Sequence, residues 1–219
     1  MDPEVRHLIV PRRLRYAALP GATGRIEQVW FVLHGYGQLA PRFIRAFKGL
    51  AAPTRHIVAP EGLHRHYVDH ANREVGASWM TSEDRSTDIE DYVAYLDLLY
   101  ESTLQEVGAH RADVRVLALG FSQGVHTLCR WISFGAARFD RAILWGAVVP
   151  PDLDLSRDGD PLRSTDLRLV VGTEDEYFGR AAVEAHEASL RGAGVPFRSH
   201  SYAGGHRIDS ATLASLAET

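Results

Sequence analysis

Ser122 stands in the run Gly120-Phe121-Ser122-Gln123-Gly124. Glycines two residues to either side of a serine permit a sharp strand-to-helix turn that lifts the hydroxyl above a sheet, where it can attack a carbonyl carbon. A serine hydroxyl needs a base to take its proton and an acid to orient that base. Later in the chain Gly172-Thr173-Glu174-Asp175-Glu176 supplies three carboxylates. Asp175 leaves room for a turn after Gly172 and is the favoured acid, while Glu174 and Glu176 suit a solvated loop that caps the next helix. Asp152 and Asp154 follow another strand and remain alternatives. Ala203-Gly204-Gly205-His206 then places a histidine behind two glycines. His206 is better placed as a base than His200, within a strand, or His186, within a helix. The order Ser, Asp, His completes a nucleophile–acid–base set. A glycine-bearing loop, His34-Gly35-Tyr36-Gly37, can offer a main-chain N–H to a developing oxyanion, with the N–H of Gln123 as second donor.

Each of these segments must be held by a regular element. The apolar runs Val29–Leu33, Ile57–Ala59, Val114–Leu119, Ala142–Trp145 and Leu167–Val171 are short and almost continuous, so they read as buried strands. Pro196–Tyr202 reads as an edge-ward strand, and Arg13–Ala17 as a possible first one. Helices are predicted over Asp88–Val107, Ser122–Gly135, Arg180–Arg191 and Asp209–Glu218. In the first of these, Ile89, Val93, Leu96, Leu99, Tyr100, Leu104 and Val107 fall on one face. Strand and helix in alternation predict an α/β fold, with a mostly parallel central sheet and helices on both faces. Such sheets bind ligands at the carboxyl ends of their strands, where the segments above all lie.

Composition narrows the function further. The 219 residues are 45% hydrophobic and 24% charged, which suits one globular domain over residues 1–219 and argues against disorder. The net charge of −4, with no basic stripe, argues against a nucleic-acid partner. No apolar run approaches the roughly 18 residues of a membrane span, and the first residues lack the pattern of a secretory signal. The single Cys129 excludes an intramolecular disulfide and fits a reducing, cytoplasmic setting.

The segments VWFVLHGYG, ALGFSQG, VGTEDEYF and YAGGHRI, in this order, resemble those of the α/β-hydrolase superfamily. More narrowly, the chain resembles the phospholipase/carboxylesterase family that includes the acyl-protein thioesterases. The resemblance spans residues 29 to 208. It implies a single-domain α/β-hydrolase without a large cap domain, Ser122 as nucleophile, Asp175 as acid, His206 as base, and main-chain donors at Tyr36 and Gln123. It implies a small-molecule or lipid acyl ester or thioester as substrate and no cofactor. Ser78-Trp79-Met80 resembles the family's substrate-side loop, so Trp79, Met80 and Phe121 are candidates for an acyl pocket. Two departures stand out: Val125 and His126 occupy positions where the family has a glycine and a small residue, and Tyr177-Phe178 replaces its usual Val-Pro.

Two rivals use other chemistry. His64, His66 and His70, with Asp69, vaguely resemble a metal-dependent hydrolase motif, with the Asp-His pair one residue late. An α/β-hydrolase fold used only for binding is the other, although such proteins usually lack a triad member. Cys129, seven residues past Ser122, reads as a small core residue.

Overall fold

The computed structural model describes residues 3–22 and 24–218. Seven strands form the main sheet: β1 (Tyr16–Leu19), β2 (Gln28–Leu33), β3 (Arg55–Pro60), β6 (Arg115–Phe121), β7 (Arg141–Trp145), β8 (Asp166–Gly172) and β9 (Phe197–Tyr202). Their order is β1-β3-β2-β6-β7-β8-β9. Every neighbouring pair is parallel except β1–β3. The central strands β2, β6 and β7 are buried along almost their whole length, as continuous apolar runs require. β9 is the edge strand its mixed sequence predicted.

Alternate residues of each strand enter opposite cores. From β2, Val29, Phe31 and Leu33 join one cluster, which includes Leu96 and Tyr100 of α2 (Arg85–Glu106) and Leu128 and Trp131 of α3 (Gln123–Phe134). Trp30 and Val32 point the other way. They meet Phe43 of α1 (Ala40–Phe43), Phe47 of the 3₁₀ turn Ile44–Leu50, and Leu213 and Leu216 of α7 (Ser210–Glu218). Helices therefore cover both faces, as expected. The remaining helices are the one-turn α4 (Leu155–Asp158) and α5 (Asp160–Arg163), and α6 (Arg180–Gly192).

Two local readings need correction. The first strand runs over Tyr16–Leu19, not Arg13–Ala17. Its register is set by β3, with Tyr16 opposite Pro60, and beyond that pair one main-chain bond, from the Glu61 N–H to the Arg15 carbonyl at 3.2 Å, joins the two segments. The segment around His64–His70, for which no strand was predicted, is an antiparallel hairpin of β4 (His64–Asp69) and β5 (Glu74–Ser78). Its charged, histidine-rich sequence lacks the apolar run that marks a strand.

Candidate active site

β6 ends at Phe121, and the chain turns sharply into α3. Ser122 takes φ +54° and ψ −119°, a conformation rare for a residue with a side chain. Two main-chain bonds hold it there. Its N–H donates to the Trp145 carbonyl at 2.9 Å, and its carbonyl accepts from the Val125 N–H at 2.9 Å. The flanking glycines are required by close approach. A Cβ on Gly120 would lie 2.4 Å from the Gly124 oxygen, and one on Gly124 would lie 2.3 Å from the Leu33 oxygen. Gly124→Ala must therefore push α3 away from β2. It is expected to lower the unfolding free energy by about 3 kcal/mol, near the top of the range for overpacking, and a shifted urea midpoint would report it.

Asp175 and His206 come together at the ends of β8 and β9. The His206 Nδ1 and Asp175 Oδ2 are 2.8 Å apart, and the side chains are 14% and 1% exposed. The other Asp175 oxygen accepts the N–H groups of Tyr177 and Phe178 at 2.9 and 3.1 Å. Glu174 and Glu176 on either side are exposed. Asp154 caps α4 through the Ser156 N–H, and Asp152 is bound to Arg130 and Arg85. Asp175 is thus the carboxylate among these that faces the imidazole. Main-chain bonds tie the acid and histidine loops together: Thr173 N–H to Tyr202 O and Glu174 N–H to Gly204 O, each 2.9 Å. The Tyr202 hydroxyl donates to the Gly205 carbonyl at 2.7 Å.

Two contacts bring this pair to the serine turn. The Phe121 ring, next to Ser122 in sequence, packs 4.8 Å from the His206 ring. Gly146 follows Trp145, whose carbonyl receives the Ser122 N–H, and a Cβ on Gly146 would lie 2.9 Å from His206 Cε1. Among the described residues no hydrogen bond joins the Ser122 hydroxyl to His206. Such bonds are often long before substrate arrives. A cleft of about 410 Å³ opens on the His206 side, lined in part by Gln38, Phe121, His206 and Arg207.

The loop after β2 closes the opposite side. A Cβ on Gly35 would lie 3.2 Å from the Ser122 Cβ, so this backbone runs beside the serine. Gly37 sits at φ +73°, which the turn of residues 35–38 needs at its third position. His34 is fully buried, and two bonds fix its tautomer. Its Nε2 accepts the Gly62 N–H at 2.9 Å, so its Nδ1–H donates to the Gly35 carbonyl at 2.7 Å. Burial pushes the His34 imidazole below its ordinary range and keeps it neutral. Gln38 adds a bond from its N–H to the same carbonyl and accepts the Gly35 N–H at 2.8 Å. In a trans peptide the N–H points opposite to the carbonyl. Fixing the Gly35 carbonyl therefore turns the Tyr36 N–H away from His34. Among the described residues the N–H groups of Tyr36 and Gln123 have no acceptor within the protein.

The remaining candidates fall in different places. Trp79 is fully buried, stacked 5.0 Å from His34, and its indole donates to the His34 carbonyl at 2.8 Å. Its place is behind the loop, not on an open pocket wall. Met80 is half-buried, and its carbonyl accepts from the Gln123 side chain at 3.2 Å. Phe121 lies against His206. The three histidines of the metal reading do not converge. His64 pairs with Asp88 at 2.8 Å, His66 packs on the Tyr36 ring at 5.1 Å, and His70 packs on Tyr67 at 5.5 Å. Among the described residues no three His, Cys, Asp or Glu side chains are grouped to hold a metal ion. Burial pushes the Cys129 thiol up to about 12, which makes it a poor nucleophile. No described helix is long and apolar enough to cross a membrane.

No protein-family model matches the sequence, and no curated protein matches it. Solved structures do. A carboxylesterase from Mesorhizobium loti superposes with a TM-score of 0.73 at 20% identity, over 94% of each chain. Esterase PE8 superposes at 0.68 and 21%, over 94% of this chain and 99% of its own. Acyl-protein thioesterase 2 of Zea mays gives 0.68 and 16%, over 93% and 96%. The chain has the α/β-hydrolase fold. Within that fold, the serine turn, the acid loop and the histidine loop end β6, β8 and β9 in chain order.

Sequence reasoning missed the supports of these loops. The β4–β5 hairpin docks on the loop after β2, with the Gly37 N–H donating to Ala77 O at 2.9 Å and the Ala77 N–H to Gln38 O at 3.2 Å. A Cβ on Gly76 would lie 2.3 Å from the Gly37 oxygen. His34, Gln38 and Gly146 were also missed as supports. The run His34-Gly35, where a histidine directly follows a buried strand, is the signal for the first two.

Proposed function

We propose that this protein is a serine hydrolase that cleaves carboxylic esters or thioesters through an acyl-enzyme. The observation that carries the reading is the hydrogen-bonded Asp175–His206 pair lying against the Ser122 turn. Supporting it, an esterase, a carboxylesterase and an acyl-protein thioesterase share the fold. Ser122 attacks the acyl carbonyl while His206 takes its proton through Nε2. Asp175 holds the imidazole by Nδ1 and stabilises its charged form. The N–H groups of Tyr36 and Gln123 receive the oxyanion. The alcohol or thiol leaves with a proton from His206, and water, activated by the same imidazole, releases the acid. The 410 Å³ cleft beside His206 is the natural place for the leaving group. No step needs a cofactor. The buried thiol of Cys129 suits a reducing compartment, in keeping with a cytoplasmic enzyme.

The test is a panel of p-nitrophenyl esters and acyl thioesters of graded length, run with and without EDTA. Turnover that is unaffected by EDTA is expected. Chelator-sensitive turnover that survives His206→Ala would instead support a metal-dependent reaction.

A further inference from the structure

β2 and β3 are parallel neighbours, with Phe31 opposite Val58, so the loops that follow them leave the sheet side by side. The loop after β2 carries the Tyr36 N–H between His34 and Ala40, and the loop after β3 begins Glu61-Gly62. These two residues grip the first loop at both ends. At its start the Gly62 N–H donates to His34 Nε2 at 2.9 Å. Past its turn the Ala40 N–H donates to Glu61 Oε2 at 3.3 Å.

Glu61 belongs neither to the triad nor to the loop it holds, and it is only 3% exposed. A buried carboxylate is costly unless it is paired. Arg15, just before β1, supplies the pairing: its Nε donates to Glu61 Oε1 at 2.7 Å. Arg65 Nε, on β4, lies 3.8 Å from the same oxygen. The Glu61 N–H also donates to the Arg15 carbonyl at 3.2 Å. Oε1 thus anchors the side chain and leaves Oε2 for Ala40. Gly62 has no slack behind it, because a Cβ there would lie 2.6 Å from the Ser78 oxygen.

His34 and Gln38 fix the Gly35 carbonyl from within the loop. They do not fix where the whole loop sits beside Ser122. A main-chain donor serves an oxyanion only within about 2.7–3.1 Å of it, so a small displacement of the loop is felt. We propose that Glu61 is a positioning residue for the oxyanion site: with Gly62 it clamps residues 34–40 at both ends and holds the Tyr36 N–H at its working distance. This rests on the serine-hydrolase reading. The donor gains strength as the carbonyl oxygen becomes negative, so the clamp acts on the transition state and not on ester binding.

Two variants remove the same bond from opposite sides. A carboxylate accepts at both oxygens, whereas an amide has one accepting oxygen. In Glu61→Gln that oxygen stays with the charged Arg15, and the NH₂ group then faces the Ala40 N–H, donor against donor. Ala40→Pro deletes the N–H itself. Ala40 is the first residue of α1, where proline fits, and Leu39 before it is extended at φ −108° and ψ 139°, as the residue before a proline prefers.

The test is inhibition by a trifluoromethyl ketone that carries the acyl chain of the best ester substrate. Ser122 Oγ bonds to the ketone carbon, the serine proton passes to His206, and the ketone oxygen becomes an anion facing the oxyanion donors. Each variant is expected to bind the ketone at least about tenfold more weakly, part of the 10²- to 10³-fold cost of losing a donor outright, and kcat should fall by a similar factor. KM should stay within about twofold, and the shape of the pH–rate profile, which reports the base, should not change. Leu216→Ala, a core truncation in α7, should lower the melting temperature and leave ketone affinity intact. Unchanged ketone affinity in either variant that folds, an altered pH profile, an equal loss in Leu216→Ala, or failure of both variants to fold would overturn the proposal. Failure of the serine mechanism shows separately, as a wild-type protein that neither binds the ketone nor reacts with a fluorophosphonate.

Discussion

Ser122→Ala is expected to lower kcat for ester hydrolysis by on the order of 10⁵- to 10⁶-fold, because nucleophile and base act as one unit. The protein should stay folded. Alanine removes one hydroxyl, while the main-chain bonds to Trp145 and Val125 that shape the turn remain available. The two flanking glycines, which set the backbone path, are untouched. Any residual rate comes from binding and from the oxyanion donors alone. Turnover by the variant is measured beside its melting temperature. A fall in both would mean a disturbed turn, and wild-type turnover in a clean preparation would contradict the assignment.

Asp175→Asn should cost roughly 10⁴-fold in kcat. Asp175 Oδ2 accepts from the ring, which keeps the proton on His206 Nδ1 and leaves Nε2 free to act as a base. An asparagine amide can donate to Nδ1 instead, which favours the tautomer whose Nε2 carries the proton and cannot take one from Ser122. The Tyr177 and Phe178 N–H groups keep an acceptor in the asparagine carbonyl, so the loop should hold. Glu174→Gln and Glu176→Gln, both at exposed positions, should change turnover by less than about threefold, as surface substitutions commonly do. Asp152→Asn should be mild compared with Asp175→Asn, because Asp152 faces Arg130 and Arg85 and not the imidazole. Comparing these four variants at saturating substrate checks the assignment. If Asp152→Asn or Glu174→Gln proved the damaging change, the acid would have to be reassigned.

The contact that singles out Asp175 is three-dimensional, yet much of its setting was legible in the sequence. Buried parallel strands announce themselves as short apolar runs, and the loops that follow them carried glycines and polar residues of the right types. Gly120 and Gly124 could be read because a nucleophile turn demands them at fixed offsets. Asp175 could be favoured over Glu174 and Glu176 by its distance from Gly172, and burial with the contact to His206 separates it from them in the structure. The hairpin of β4 and β5 was illegible because its partner is the loop after β2: no apolar period records a bridge between Gln38 and Ala77. Trp79 looked like a pocket residue because an aromatic near a substrate loop is ambiguous between wall and core, and its indole in fact stacks on His34. The strand Tyr16–Leu19 was misplaced by three residues at its start because an edge strand takes its register from its neighbour. Arg130 was invisible as well. A single arginine in an amphipathic helix looks solvated until Asp152 and Tyr92 are folded around it.

The most direct test of the central claim is covalent labelling with a fluorophosphonate, read by intact mass and peptide mapping. The reagent reacts with a serine that is activated by a base and leaves ordinary surface serines alone. The account predicts one adduct per chain, on the peptide that contains Ser122, formed by the wild type and greatly slowed in His206→Ala. A folded wild-type protein that takes up no adduct, or that carries it on a residue other than Ser122, would contradict it.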